Sequence, residues 1–346
     1  MNRPNQITIR IVTRDRFESL LRCVRSLDLL AHLVLEVLIV DDAGDRTLPK
    51  RLREKAGGCA GAIRFLPHTA GAGYISGRNR IAAEAATNFI LNLDDDAYLR
   101  EGNGFEEALS IFADNSSVAA IALRQLNPDG SPWPAAFQPA PVDYPCEVPC
   151  FIGFGHILRR EAFFRAGGYR EFFHFYGEEK DLGLRLFAAG FRVIYLPQLG
   201  VVHSPDPQGR NMSRYLRYTV RNDCLNALLN FPLLLVPAAV LWRFWGYFRM
   251  RRAWKVSDPG GFSWILRELV RLRHTVWPLR NCLSWGVLRS WRRLRQHWPE
   301  YSCGEGPRGD STRRRLRAVQ NTSKLTPTLY KIRSKSVSNS TQEKDK

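Results

Sequence analysis

The sequence predicts an α/β protein: a mostly parallel central sheet with helices on both faces, followed by a C-terminal helical extension. Three observations predict it. Strand-like apolar runs take turns with stretches of helical spacing over residues 6–202, the order that builds a parallel sheet covered on both sides. Polar residues gather where successive strands end, at Thr13, Asp41-Asp42 and Asp94-Asp95-Asp96. The charge is also uneven: of a net +18, residues 241–346 hold 24 Lys/Arg against 7 Asp/Glu, whereas residues 1–240 hold 27 against 26. The body is near neutral and carries a basic attachment.

In chain order, Gln6 to Thr13 alternates and is rich in β-branched residues, so a strand is expected. Phe17, Leu20, Leu21, Val24 and Leu27 then recur at helical spacing, which predicts a helix over residues 14–30. Residues 35–40 form a second strand ending at Asp41-Asp42. A polar helix from about Thr47 is broken by Gly57-Gly58 and followed by a short strand over 62–66. Ile75 to Ala86 reads as an Ala-rich helix, and residues 88–93 as the fourth strand. Residues 105–113 are expected helical and 118–123 extended. The Pro-rich stretch 127–149 has no periodicity and reads as a long loop bordering a site. A strand resumes over 151–158, a short helix follows over 160–166, and a helix beginning at Gly177 closes at Gly190. Two short strands, 192–195 and 200–202, lead to His203.

Along extended backbone Asp94 and Asp96 share a side, because side chains alternate. Two carboxylates facing one way repel each other unless a cation lies between them, and a hard divalent ion with oxygen ligands meets that need. A solvated turn and helix N-cap is the other reading, since Asp favours both. The convergence of Thr13, Asp41 and Asp42 on the same sheet edge, where such folds bind ligands, weighs toward a site.

Four motifs in register resemble the inverting GT-A glycosyltransferases of family 2, of the bacterial cell-surface, rhamnosyltransferase-like kind. They are Val40-Asp41-Asp42, Gly73 with Arg78-Asn79, Asp94-Asp95-Asp96, and Gly177-Glu178-Glu179-Lys180-Asp181-Leu182 with Arg185. The resemblance spans about residues 6–225 and implies a GT-A domain over 1–222, hexosyl transfer with inversion, and a role in cell-envelope polysaccharide biosynthesis. It implies a nucleotide-sugar donor, UDP- or dTDP-linked, and a glycan or lipid-linked acceptor. On the donor side it places Thr13, Asp41 and Asp42 at the base and ribose, Arg78 and Asn79 near the diphosphate, and Asp94 and Asp95 at the ribose and sugar. Asp96, with His203 as second ligand, would hold Mg²⁺ or Mn²⁺. Glu179 matches the position of the catalytic base, usually Asp in the family, and Glu178 is its rival. Gly153, Phe154, Gly155 and His156 would line the acceptor side. Asp181 and Arg185 are expected to support the site structurally, and Arg210 and Arg221 to close over the diphosphate. The family often has Asn two residues before the motif glycine, where Gly71 stands here.

The C-terminal part holds eight of the nine Trp, interleaved with Arg and Leu from Trp242 onward. Rings at headgroup depth with cations facing phosphates suit an anionic membrane surface. Residues 223–300 are therefore expected as a basic, Trp-rich, membrane-interfacial helical region, and 301–346 as a basic disordered tail. Two rivals are a nucleic-acid-binding protein, disfavoured by the Leu, Val and Phe among the tryptophans, and a sugar-nucleotide-forming nucleotidyltransferase. The latter would show a Gly-rich phosphate loop, and residues 11–17 hold no glycine. The seven scattered Cys read as reduced packing residues, and no secretory signal opens the chain. The expected location is cytoplasmic, peripherally associated with the inner face of the cell membrane.

Overall fold

The computed structural model describes residues 6–205 and 211–301. Arg210, Cys303 and the tail beyond Tyr301 lie outside them. In chain order the body holds β1 (Ile7–Thr13), α1 (Phe17–Ser26), β2 (Val34–Asp41), α2 (Leu48–Lys55), β3 (Ile63–Phe65), α3 (Tyr74–Glu84), β4 (Phe89–Asp94) and β5 (Ala97–Leu99). It continues with α4 (Phe105–Asp114), β6 (Val118–Leu126), β7 (Cys146–Val148), β8 (Gly155–Arg159), α5 (Arg160–Arg165), α6 (Glu178–Ala188) and β9 (Arg192–His203). Five helices follow: α7 (Met212–Asn230), α8 (Val236–Ala253), α9 (Gly261–Arg271), α10 (Arg273–Val276) and α11 (Trp285–Leu294).

The strands form one sheet in the order β3-β2-β1-β4-β8-β6-β9-β5, with β7 also paired to β9. β1, β2, β3, β4, β6 and β9 run one way; β5, β7 and β8 run the other. Strand alternation divides the core between two faces. Ile9, Ile11, Val37, Ile39 and Leu91 pack under α1, α2 and α4. Leu38, Val40, Ile90 and Leu158 pack against α3, α5, α6 and α7. Each such fully buried aliphatic side chain contributes about 1.5–3 kcal/mol.

Register brings the polar strand ends together. Val12 pairs with Val40 on one side and with Asp94 on the other, and Thr13 pairs with Asp41. Gly77 lets α3 lie tight on this edge, since a Cβ there would meet Val12 and Val40 side chains at about 3 Å. That close approach drops Arg78 onto the sheet end.

Two expectations change. The pair of short strands over 192–202 is one strand, β9, whose pairing with β6 jumps from Leu123↔Leu196 to Arg124↔Gly200. Pro197, which has no N–H for the ladder, sits in the resulting bulge. The boundary expected at 222/223 falls inside α7, a single continuous helix. The C-terminal helices are packed onto the body rather than hung from it. α7, α8 and α9 share a core through Leu216, Val220, Tyr247 and Ile265. On α11, Leu288, Trp291 and Leu294 lie against Leu184 and Phe187 of α6. The tryptophans accordingly divide: Trp291 is buried and Trp264 packs on Tyr218, whereas Trp242, Trp245, Trp277 and Trp285 are exposed.

Candidate active site

At the ends of β1, β2 and β4 the carboxylates fall into two groups, each built around an arginine. In the first, Arg78 is buried on α3 and reaches three ways. Its Nη2 donates to Asp94 Oδ1 at 2.6 Å and to the Gly153 carbonyl at 3.1 Å, and its Nη1 donates to Glu178 Oε1 at 3.0 Å and lies 3.5 Å from Glu179 Oε1. The two glutamates begin α6, so the acid that ends β4 and the pair that starts α6 meet on one guanidinium. Gly153 is needed for this approach, because a Cβ would stand about 2.1 Å from Glu179 Oε1.

The glutamates are not equivalent. Glu178 is 0% exposed, and its Oε2 has no hydrogen-bond partner. Burial, reinforced by the neighbouring Glu179 charge, pushes its pKa well above the usual carboxylate range against the pull of Arg78. Glu178 therefore favours its protonated form more than an ordinary carboxyl does. The Glu179 side chain is 17% exposed and open to an approaching group.

In the second group Thr13 Oγ1 donates to Asp95 Oδ2 at 2.8 Å, and Arg16 Nη1 bridges Asp95 Oδ1 and Asp96 Oδ2, both at 3.0 Å. Burial raises the Asp95 pKa to about 6, with Arg16 opposing it. Asp96 is pushed up by burial too, but the His203 ring and Arg16 overcome this and hold it low. His203 comes beside Asp96 because β5 and β9 pair Ala97 with His203. Its Nε2 lies 3.3 Å from Asp96 Oδ1 without hydrogen-bond geometry, so that buried oxygen has no hydrogen-bond partner. The ring is sandwiched between Phe154 (4.9 Å) and Trp133 (6.1 Å). An open carboxylate oxygen facing an imidazole nitrogen fits a divalent cation. Among the described residues no group of three or more His, Cys, Asp or Glu is placed to hold a metal.

Several expected residues do other work. Asp41 caps its own turn, accepting the N–H groups of Ala43 and Asp45. Asp42 stays on the edge, accepting the Gly73 N–H at 2.9 Å with Arg14 at 3.6 Å. Asn79 pins α3 to the loop after α5, exchanging hydrogen bonds with the Tyr169 backbone at 2.8 and 3.0 Å. Of the four acceptor-side residues, Gly153 alone touches the carboxylates. Phe154 seats His203, Gly155 lies against Val201, and His156 is fully buried beneath the sheet. There it sits beside the cationic Arg10 (3.3 Å), so burial and that charge keep its pKa far below normal and its ring neutral. Asp181 is buried against Arg170, Arg185 and Asn230, tying α6 to α7.

Arg221 is not free to close over a diphosphate. It is buried and donates to the Phe172 and Phe173 carbonyls, both at 2.7 Å, and to Glu268 at 3.1 Å. With Asn222, whose amide nitrogen lies 2.5–3.0 Å from three carbonyls, it clamps the aromatic run ahead of Glu178. That run needs clamping, since His174 and Tyr176 adopt φ of 60° and 62°, a region costly for bulky side chains.

Residues 8–165 match the family model described as Glycosyl transferase family 2. Over that stretch the chain is similar to family 2 glycosyltransferases. The matched stretch takes in Thr13, Arg16, Arg78, Asp94–Asp96 and Gly153, and ends before the glutamate pair and His203. The O-antigen biosynthesis protein RfbC of Myxococcus xanthus is 30% identical over 147 residues, which are 36% of this chain and 12% of that relative. In shape, the chain resembles the crystal structure of S. aureus TarS 1–349 in complex with UDP. The TM-score is 0.50 at 15% identity, over 92% of this chain and 91% of that one. The fold is that of the GT-A glycosyltransferases.

The motif reading passed over Arg10, Arg16 and Trp133. Arg10 carried a signal, a charged residue inside a strand expected to be buried on both faces. It is fully buried, donates to Asn92 Oδ1 at 2.8 Å, and is pushed down to a pKa of about 10 by burial. Trp133 is the one Trp outside the basic region.

Proposed function

We propose that the domain moves a hexosyl group from a UDP- or dTDP-sugar to a hydroxyl of a glycan or lipid-linked acceptor, with inversion, in the assembly of a cell-envelope polysaccharide. One observation carries this reading: Arg78 joins the acid at the donor edge, Asp94, to the Glu178-Glu179 pair. A donor lying along the strand ends would thus have its anomeric carbon beside the more accessible glutamate. Glu179 takes the proton of the acceptor hydroxyl as its oxygen bonds to the anomeric carbon from the face opposite the leaving group. The C–O bond to the diphosphate breaks, and its electron pair leaves with the nucleoside diphosphate. Glu178, kept neutral, holds its neighbour in place without a second charge beside the attacking oxygen. Thr13 and Asp95 steady the donor side, and Asp42 offers its carboxylate toward base or ribose. Mg²⁺ or Mn²⁺ at Asp96 and His203 would offset the charge gathering on the departing diphosphate.

A thermal-shift panel of UDP-, dTDP- and GDP-sugars with Mn²⁺ tests the donor. UDP- or dTDP-sugars should raise the melting temperature, and Asp96→Asn should remove the part of the shift that depends on Mn²⁺. A flat panel would contradict the reading.

The attachment supports a place at an anionic membrane surface. Among the described residues no helix is long and apolar enough to cross a membrane. Up to Trp242, α8 is apolar throughout. Val236, Val240, Phe244 and Tyr247 face the packed side, while Leu234, Leu241, Trp242, Trp245 and Phe248 form an exposed stripe continuing into Arg249 and Arg252. Such a stripe with flanking cations fits lipid headgroups and acyl ends, with the domain on the cytoplasmic face. Flotation with phosphatidylglycerol vesicles checks this: the protein should float, and a variant with Trp242, Trp245 and Phe248 all changed to Ser should stay behind. Equal flotation of the variant would count against the stripe.

A further inference from the structure

Asp95 and Asp96 are almost closed off from water, yet their counter-cation reaches in from the surface. Arg16 stands just ahead of α1 with its side chain 50% exposed, and one nitrogen, Nη1, lies 3.0 Å from each carboxylate. Asp96 is used twice: Oδ2 faces Arg16, and the open Oδ1 faces His203 Nε2 at 3.3 Å. A divalent cation at Oδ1 and Arg16 at Oδ2 of one buried carboxylate would repel each other at short range, where little water screens them. Asp95 differs, because its Oδ2 is fixed by Thr13 and its Oδ1 can keep Arg16 by itself.

We propose that Arg16 is a displaceable counter-cation: it neutralises Asp96 while the donor site is empty and gives up that contact when Asp96 and His203 take a divalent cation. This rests on reading Asp96 and His203 as the metal pair. Once off Asp96, Arg16 remains tethered by Asp95 at the same sheet end. Its freed N–H groups then face the incoming anion, for which a nucleoside diphosphate is the match. Metal and nucleotide would each bind better with the other present, and Arg16 would carry part of that coupling.

The experiment is a titration of Mn²⁺ into the full chain, following free Mn²⁺ by electron paramagnetic resonance, with and without UDP. Arg16→Gln should bind Mn²⁺ alone about tenfold more tightly than the wild type, while UDP tightens its metal binding less. Arg16→Lys, which restores a cationic nitrogen, should return toward wild type. Equal Mn²⁺ affinities for wild type and Arg16→Gln would overturn the displacement and leave the metal pair standing. Equal tightening in Arg16→Lys and Arg16→Gln would also overturn it, since charge would not be the cause. If neither wild type nor Arg16→Gln takes up Mn²⁺, with or without UDP, the reading of Asp96 and His203 fails and the displacement with it.

Discussion

Asp94 with the Glu178-Glu179 pair, and Asp95 with Asp96, are both crowded carboxylates neutralised by one arginine, but the two arginines differ in kind. Arg78 is buried on a helix, holds three carboxylates and a carbonyl, and has no room to leave. Arg16 is half in solvent and grips through a single nitrogen. The difference teaches which part of the site is built to stay and which to exchange. On the proposed reading, the Arg78 side is the fixed part of the site and the Arg16 side holds a charge that a ligand can replace.

Substitution of the two arginines is the strongest way to break that comparison. Arg78→Met strands Asp94 and two glutamates without their cation and should lower stability in urea denaturation by about 3–5 kcal/mol, the usual cost of halving a buried ion pair. Arg16→Gln, which removes a cation that is itself half in solvent, should cost less than Arg78→Met. Similar losses in both would erase the distinction. A smaller effect sharpens the glutamate pair. The raised pKa of Glu178 means its proton is bound more tightly in the folded state. Its stabilising contribution is full below about pH 4, the ordinary Glu value, and is lost as pH rises through the raised one. Glu178→Gln keeps the neutral shape and should not show that decline. Wild type and variant should therefore diverge in urea titrations run at rising pH, with the variant the more stable at the alkaline end.

Much of this frame was legible in the sequence because it is local. Alternation in residues 6–13 and the apolar runs over 35–40 and 88–93 identified β1, β2 and β4. Asp94 and Asp96, however, do not share a side: β4 ends at Asp94, which turns to Arg78 while Asp96 turns to Arg16. What stayed hidden depends on contacts across the chain. Arg78 and Glu178 are a hundred residues apart, and no spacing rule says that a motif arginine will meet carboxylates rather than a phosphate. The resemblance placed His156 on the acceptor side, but in the fold it is turned inward against Arg10. Arg221 looked like a free cation, yet the strained aromatic run it clamps is visible only in backbone angles. β9 is one strand where the sequence suggests two, because the fold absorbs Pro197 as a bulge.

The assignment of Glu179 as base, with Glu178 as its neutral support, is the claim on which the catalytic account turns. Sugar transfer by Glu179→Gln and Glu178→Gln, measured with whichever donor the thermal-shift panel selects and paired with donor affinity by calorimetry, tests it directly. Glu179→Gln should bind donor like the wild type and lose transfer by about 10²–10⁴-fold, while Glu178→Gln keeps most of its rate. Wild-type transfer by Glu179→Gln, or a dead Glu178→Gln beside an active Glu179→Gln, would contradict it.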